Sequence, residues 1–139
     1  MRPLLCELFV FLCSAGVGAA PKPNIIIMVA DDLGWSDVGF HGGDIDTPSL
    51  DRLAAEGMEL SRFYTTPICS PTRAALMTGR DPMRLGVAYA VIWPWTNAGI
   101  HPEEHFMPQS FQAAGYQTAM VGKWHLGHAL QAYHPNARG

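Results

Sequence analysis

Cysteine is scarce in this sequence: there are three, and only Cys69 lies beyond residue 13. A single thiol in the body of the chain excludes an internal disulfide framework. It leaves three readings of Cys69: a buried small hydrophobe, an intermolecular partner, or a reactive group. Charge is sparse as well, at 15% of residues with a net charge of −3. No run of Lys or Arg exists, which excludes the basic footprint of a nucleic-acid partner. Internal repeats and low-complexity segments are missing, so the chain is not a repeat array. Long apolar runs are missing too. The uninterrupted stretch near the N-terminus, Leu8 to Cys13, is far short of the roughly 20 residues that cross a bilayer, so no stable membrane insertion is expected. What remains is a chain of 139 residues that is 48% hydrophobic, a globular composition sized for one small domain.

The N-terminus has the grammar of a secretory signal. Arg2 supplies a positive start, Leu8 to Cys13 is apolar, and Gly18-Ala19-Ala20 closes the segment with small residues. Cleavage is expected after Ala20, leaving residues 21–139 as the mature portion; the alternative is an unprocessed amphipathic N-terminus. Cleavage removes Cys6 and Cys13. Cys69 is then the only thiol in an oxidising compartment, whether periplasm, extracellular space or lysosome.

Beyond the signal, strand and helix patterns alternate. Asn24 to Ala30 is a continuous β-branched apolar run, the pattern of a strand buried on both faces. Thr47-Pro48 predicts a helix start and Gly57 its stop, with Leu50, Leu53 and Ala54 on one face. Met58 to Tyr64 predicts a second strand. Ser70-Pro71 reads as cap and first-turn proline of a helix over Thr72 to Thr78, ended by Gly79. Met107-Pro108 opens a third helix that stops at Gly115, and Tyr116 to Val121 predicts a third strand. Trp93 to Asn97 reads as a loop. Strands interleaved with helices predict an α/β fold.

On this frame, Asp31 and Asp32 follow the first strand, and Lys123 and His125 follow the last. In α/β sheets ligand-binding groups gather beyond the carboxyl ends of strands. Cys69 sits at a helix start, where free N–H groups favour negative charge, and Arg73 lies one turn later on the same face. Each residue alone has a plainer reading. An Asp pair before Gly is commonly a solvated turn, a lone His a structural hydrogen-bonder, a lone Lys a surface charge, and a lone Cys an inert core residue. A buried Asp pair needs a cation, and a hard divalent ion wants more oxygens than two aspartates supply.

The motifs themselves resemble those of the sulfatases. Cys69-Ser70-Pro71-Thr72-Arg73 is similar to the family's Cys-x-Pro-x-Arg signature, with Leu76-Met77-Thr78-Gly79-Arg80 as its extension. Asn24 to Gly34 resembles the family's first strand and metal-binding turn, and Gly122-Lys123-Trp124-His125-Leu126-Gly127 its second signature. The segment HGGDIDTPSLDRLAAEG and the run VIWPW also resemble the arylsulfatase B branch, whose members remove 4-sulfate from N-acetylgalactosamine. The resemblance implies an alkaline-phosphatase-like mixed sheet flanked by helices, of which this chain carries an N-terminal part. It also implies sulfuric ester hydrolysis.

The resemblance further implies that a formylglycine-generating enzyme oxidises Cys69 to an aldehyde, reading Pro71 and Arg73 as part of its pattern. The hydrated aldehyde is a gem-diol: one hydroxyl attacks sulfur, and the other loses its proton as sulfate leaves by C–O cleavage. By the same resemblance Asp31, Asp32 and residue 69 hold a divalent ion, Ca²⁺ or alternatively Mg²⁺. Arg73 steadies the formylglycine, Lys123 binds a sulfate oxygen, and His125 is the base; His128 carries no role.

Family members are much longer and complete the metal shell and the sulfate site with later residues. The chain alone is therefore expected to be inactive. Two alternatives stay open: a phosphonate or phosphate ester hydrolase of the same superfamily, and a non-catalytic truncated secreted product with a free Cys69. The expected substrate is a sulfate ester, either an aryl sulfate or a sulfated glycosaminoglycan. His41, Trp93 and Trp95 are candidates for lining its pocket, with core packing as the alternative for both tryptophans.

Overall fold

The computed structural model describes residues 21–139, so the secretory-signal expectation lies outside the described residues. Residues 21–30 belong to one unit and residues 31–139 form a second. In the first, Asn24 to Ala30 is exposed and forms no strand. The second holds three α-helices: α1 (Pro48–Glu56), α2 (Cys69–Thr78) and α3 (Met107–Ala113). Short 3-10 turns occur at Trp35–Asp37, Gly39–His41, Pro82–Leu85, Gln131–Tyr133 and Pro135–Ala137.

The helices follow local signals. α1 opens on Thr47 with Pro48 in its first turn, and Gly57 closes it. Proline suits that position because the first-turn N–H groups lack helical partners anyway. In α3, Pro108 again lies in the first turn, and the Gln109 side-chain oxygen accepts from the Phe106 N–H at 2.7 Å. α2 starts one step earlier than the sequence suggests. Ile68 occupies the capping position, Cys69 is the first helical residue, and Gly79 ends the helix with φ 67°, its N–H returned to the Ala75 carbonyl. Ser70 is therefore not a cap; its hydroxyl is engaged elsewhere, as described below.

None of the expected strands at 24–30, 58–64 and 116–121 forms among the described residues. The reason is physical. A helix satisfies its N–H and C=O groups within its own segment, whereas a strand needs a neighbour for every ladder bond. The one β-bridge among the described residues is antiparallel, between Gly99 and Gly127. A side chain at Gly127, whose φ is 110°, would put its Cβ 2.6 Å from the Gly99 Cα, so this approach requires glycine. It holds the 122–127 segment against the core, where the Ile100 N–H also bonds the Leu126 carbonyl.

That core is small: Ala74, Val87, Ile92, Ile100, Phe106 and Leu126, with Met77, Leu85 and Trp124 packed against it. Arg138 is buried beside it. Its guanidinium lies 4.0 Å above the Phe106 ring and donates to the carbonyls of Pro102, His101 and Glu104. Cation and ring thus close one side of the core. No helix among the described residues is long and apolar enough to cross a membrane.

Candidate active site

α2 presents two faces. Ser70, Pro71 and Ala74 are buried toward the core, while Cys69 and Arg73, one turn apart, are half-buried on another side. The segment 122–127 divides its side chains in the same way. Trp124 and Leu126 pack into the core, and Lys123 and His125 meet the residues of α2 and Asp31. Packing the two apolar faces together brings the two polar sets together.

Cys69 Sγ lies 3.1 Å from His125 Nδ1. His125 has φ 61°, a left-handed conformation uncommon in non-glycine residues. In this conformation its imidazole reaches Cys69 while its carbonyl accepts from the Ser70 hydroxyl at 2.8 Å. Ser70, fully buried at 0% exposure, in turn accepts from the Ile92 N–H at 3.0 Å. One hydroxyl therefore joins α2, the 92–97 loop and the His125 segment. Sequence reasoning missed this role; the available signal was a hydroxyl next to the cysteine.

Asp31 collects the cations. Its Oδ2 accepts from Lys123 Nζ at 2.8 Å and from Arg73 Nη2 at 2.8 Å. Arg73 also donates to the Lys123 carbonyl, and its buried Nε has no partner among the described residues. The hydrogen bond from Lys123, and then that from Arg73, hold the Asp31 carboxyl below its ordinary value of 3.8. The same bond raises Lys123 above 10.5. His125 is lowered from 6.5, first by burial and then by the charges of Lys123 and Arg73, so the ring is neutral at neutral pH.

Of the residues singled out, Cys69 and His125 thus form one contact pair, and Asp31, Lys123 and Arg73 form a three-residue cluster. Asp32 is exposed and makes no hydrogen bond or ion pair with the described residues. Ca²⁺ takes about 6–8 oxygens and Mg²⁺ about 6. Among the described residues no group of three or more His, Cys, Asp or Glu side chains is arranged to hold a metal, and Asp31 is committed to two cations. The donors among the described residues do not by themselves fit a divalent ion. His41 stands apart: Nδ1–H donates to the Trp35 carbonyl at 2.9 Å, Nε2–H to Glu59 at 2.8 Å, and the ring stacks on Trp35. Glu59 raises its pKa, and both ring nitrogens are engaged.

The arrangement sets a thiol against an imidazole, beside two cations gathered on one carboxylate. The sulfatase family model matches residues 23–137, and the chain belongs to that family. N-acetylgalactosamine-6-sulfatase of Canis lupus familiaris is 46% identical, the match covering 96% of this chain and 28% of that protein. Arylsulfatase G of Rattus norvegicus is 45% identical over 94% of this chain and 25% of its own length; arylsulfatase J of Mus musculus is 41% identical over 90% and 21%. Among solved structures, that of Ps i-CgsB in complex with k-i-k-neocarrahexaose gives a TM-score of 0.72 at 39% identity, covering 85% of this chain and 26% of that one. The chain spans about a quarter of the length of the curated relatives it matches.

Proposed function

We infer that residues 21–139 carry the nucleophile side of a sulfuric ester hydrolase site, with Cys69 as the residue that becomes formylglycine. The Cys69–His125 contact, 56 residues apart in sequence, is the observation that carries this reading. The sulfur stands where an aldehyde oxygen or its hydrate would lie, within hydrogen-bond reach of an imidazole, so the position suits the modified residue. When formed, the hydrate would supply one oxygen to attack sulfur, expelling the substrate alcohol by S–O cleavage, and a second hydroxyl whose proton loss releases sulfate by C–O cleavage and restores the aldehyde.

The chain's own residues supply three things. His125, neutral at neutral pH, accepts the proton at Nδ1. Lys123 and Arg73 bring two positive charges to a sulfate, the kind of donor whose loss costs roughly 10²–10³ in rate. Ser70 fixes the His125 backbone so that its ring faces residue 69. The family resemblance would give Asp31 and Asp32 to a Ca²⁺ shell, but Asp31 is paired here with Lys123 and Arg73, and no step is routed through a metal. The substrate class is a sulfated sugar, as the names of the N-acetylgalactosamine-6-sulfatase relatives suggest. Oxidation of Cys69 during secretion, outside the cytosol, is consistent with its being the one thiol past residue 13.

The reading is tested by co-expressing the chain with a formylglycine-generating enzyme and weighing the peptide that contains residue 69. The expected result is a lower mass than the thiol form and loss of reaction with an alkylating reagent, with Cys69→Ser unchanged as the control. A thiol that stays fully alkylatable refutes it. The chain alone is expected to hydrolyse neither aryl sulfate nor aryl phosphate. Selective phosphate ester hydrolysis would move the chemistry to the related phosphate ester class.

A further inference from the structure

The loop at residues 93–97 takes no part in the chemistry above, yet it carries two tryptophans around a proline. Thr96 folds it: its N–H and its hydroxyl both donate to the Trp93 carbonyl, at 3.1 and 2.8 Å. The two indoles then stack, with centroids 4.9 Å apart and planes 13° from parallel. This pair is not core. Trp93 is 49% exposed and Trp95 76%. Tryptophan gains more than almost any residue from covering its faces, so a preassembled exposed stack marks a surface built to be covered.

The loop is fastened to the active-site residues from both sides. The N–H of Ile92, just before Trp93, bonds the Ser70 hydroxyl beside Cys69. The Pro94 carbonyl accepts from Nε2–H of His128, three residues past His125. The platform is therefore tied to the same two segments that hold the nucleophile and its base.

We propose that Trp93 and Trp95 are specificity residues on which the sugar ring of a sulfated pyranoside rests while its sulfate meets Lys123 and Arg73. This assignment rests on the sulfate-ester reading of the site. The C–H face of a pyranose is weakly positive and complements the negative face of an indole. A stack already formed in the free protein needs little ordering on binding. Cations on one segment and aromatic faces on the loop tied to it suit a ligand that is anionic at one end and weakly polar at the other. A wholly apolar partner would leave Lys123 and Arg73 unused.

Calorimetric and fluorescence titrations of the full chain with inorganic sulfate, N-acetylgalactosamine and N-acetylgalactosamine 6-sulfate test this. The sulfated sugar is expected to bind more tightly than inorganic sulfate, and both sugars to quench tryptophan emission. Trp95→Ala weakens both sugars about tenfold in Kd and leaves inorganic sulfate unchanged, while Trp95→Phe restores part of the loss. Equal binding of sulfate and sulfated sugar, or an unchanged sugar affinity in Trp95→Ala, overturns the platform. So does a Trp95→Ala chain that only changes oligomeric state, which would assign the face to self-association. Failure of the underlying site reading looks different: inorganic sulfate does not bind and Lys123→Ala changes nothing, while the neutral sugar still quenches the loop.

Discussion

The first turn of α2 and the segment 116–121 have opposite relations to the rest of the molecule. In α2, Ser70 is fully buried, and its hydroxyl is bonded to residues 22 and 55 positions away. In the other segment Val121 is 99% exposed, and in the similar segment 58–64 Tyr64 is 84% exposed. Each exposed segment mixes polar residues with β-branched, aromatic or long apolar ones, the composition of a half-buried strand. The difference is that the helix region is bonded to residues far off in sequence, whereas Tyr116 and Thr118 reach the preceding helix, at Phe111 and Gln112, and no strand ladder forms among the described residues. Apolar character sets a demand for burial; only a paired backbone and a covered face meet it.

The comparison is tested most severely in the core behind α2. Phe106 is fully buried, with its ring between the Arg138 guanidinium and Trp124. Phe106→Ala is expected to destabilise the chain by about 3–5 kcal/mol. It also removes the surface on which Arg138 is laid. The denaturant midpoint measures the loss. A shift no larger than that of a surface substitution would mean that the two regions are equally loose.

Next in size is Ser70→Ala. It strands the His125 carbonyl and the Ile92 N–H, at ~1–3 kcal/mol for each group left unpaired in the interior. The same variant should lower Cys69 alkylation rates, because the imidazole that accepts the thiol proton loses its backbone anchor. Stability and thiol reactivity moving together would sharpen the contrast. A change in stability alone would reduce Ser70 to ordinary packing.

These residues also mark the limit of what was legible beforehand. Helix starts and stops were readable because proline, a preceding extended residue and a left-handed glycine act within a few positions, as at Pro48, Pro108 and Gly79. Asp31, Lys123 and His125 were singled out by their places beside strand-like runs, and Cys69 with Arg73 by helical spacing. Ser70 was misread as a cap because its partners are far off in sequence and local chemistry cannot name them. His41 is a candidate pocket residue by sequence; in the structure its ring nitrogens are bonded to the Trp35 carbonyl and Glu59, partners its sequence neighbourhood does not name. The strand-like runs form no ladder among the described residues, because a strand needs a neighbour whose place its own sequence does not name.

A smaller effect follows from charge. Burial and the neighbouring cations hold the His125 pKa below its ordinary 6.5, so the folded chain binds fewer protons there than the unfolded one. Stability should therefore be unaffected by this group above about pH 6.5 and decline as pH falls from there toward the folded value. Asp31, held below 3.8, adds a further loss in strong acid as its ion pairs with Lys123 and Arg73 are protonated away. Lys123, raised above 10.5, loses its contribution as pH climbs past that value. NMR titration of the His125 imidazole should show a midpoint under 6.5, and His125→Gln should flatten the stability slope between neutral and mildly acid pH. A midpoint above 6.5 would show that the ring is not enclosed as α2 requires.

The smallest effect is expected where the sequence looks most hydrophobic. Val121→Ser and Tyr64→Ser replace exposed apolar side chains, so each should change the stability of this chain by less than about 0.5 kcal/mol. Their effect should fall instead on association, because unpaired apolar segments of strand-like composition invite pairing with other chains. Light scattering of the two variants against the parent chain separates the possibilities. Reduced self-association at unchanged stability assigns these segments to partners outside residues 31–139. A loss of stability comparable to that of Ser70→Ala would instead show both segments packed in the chain itself, and the contrast between helix and strand-like regions would disappear.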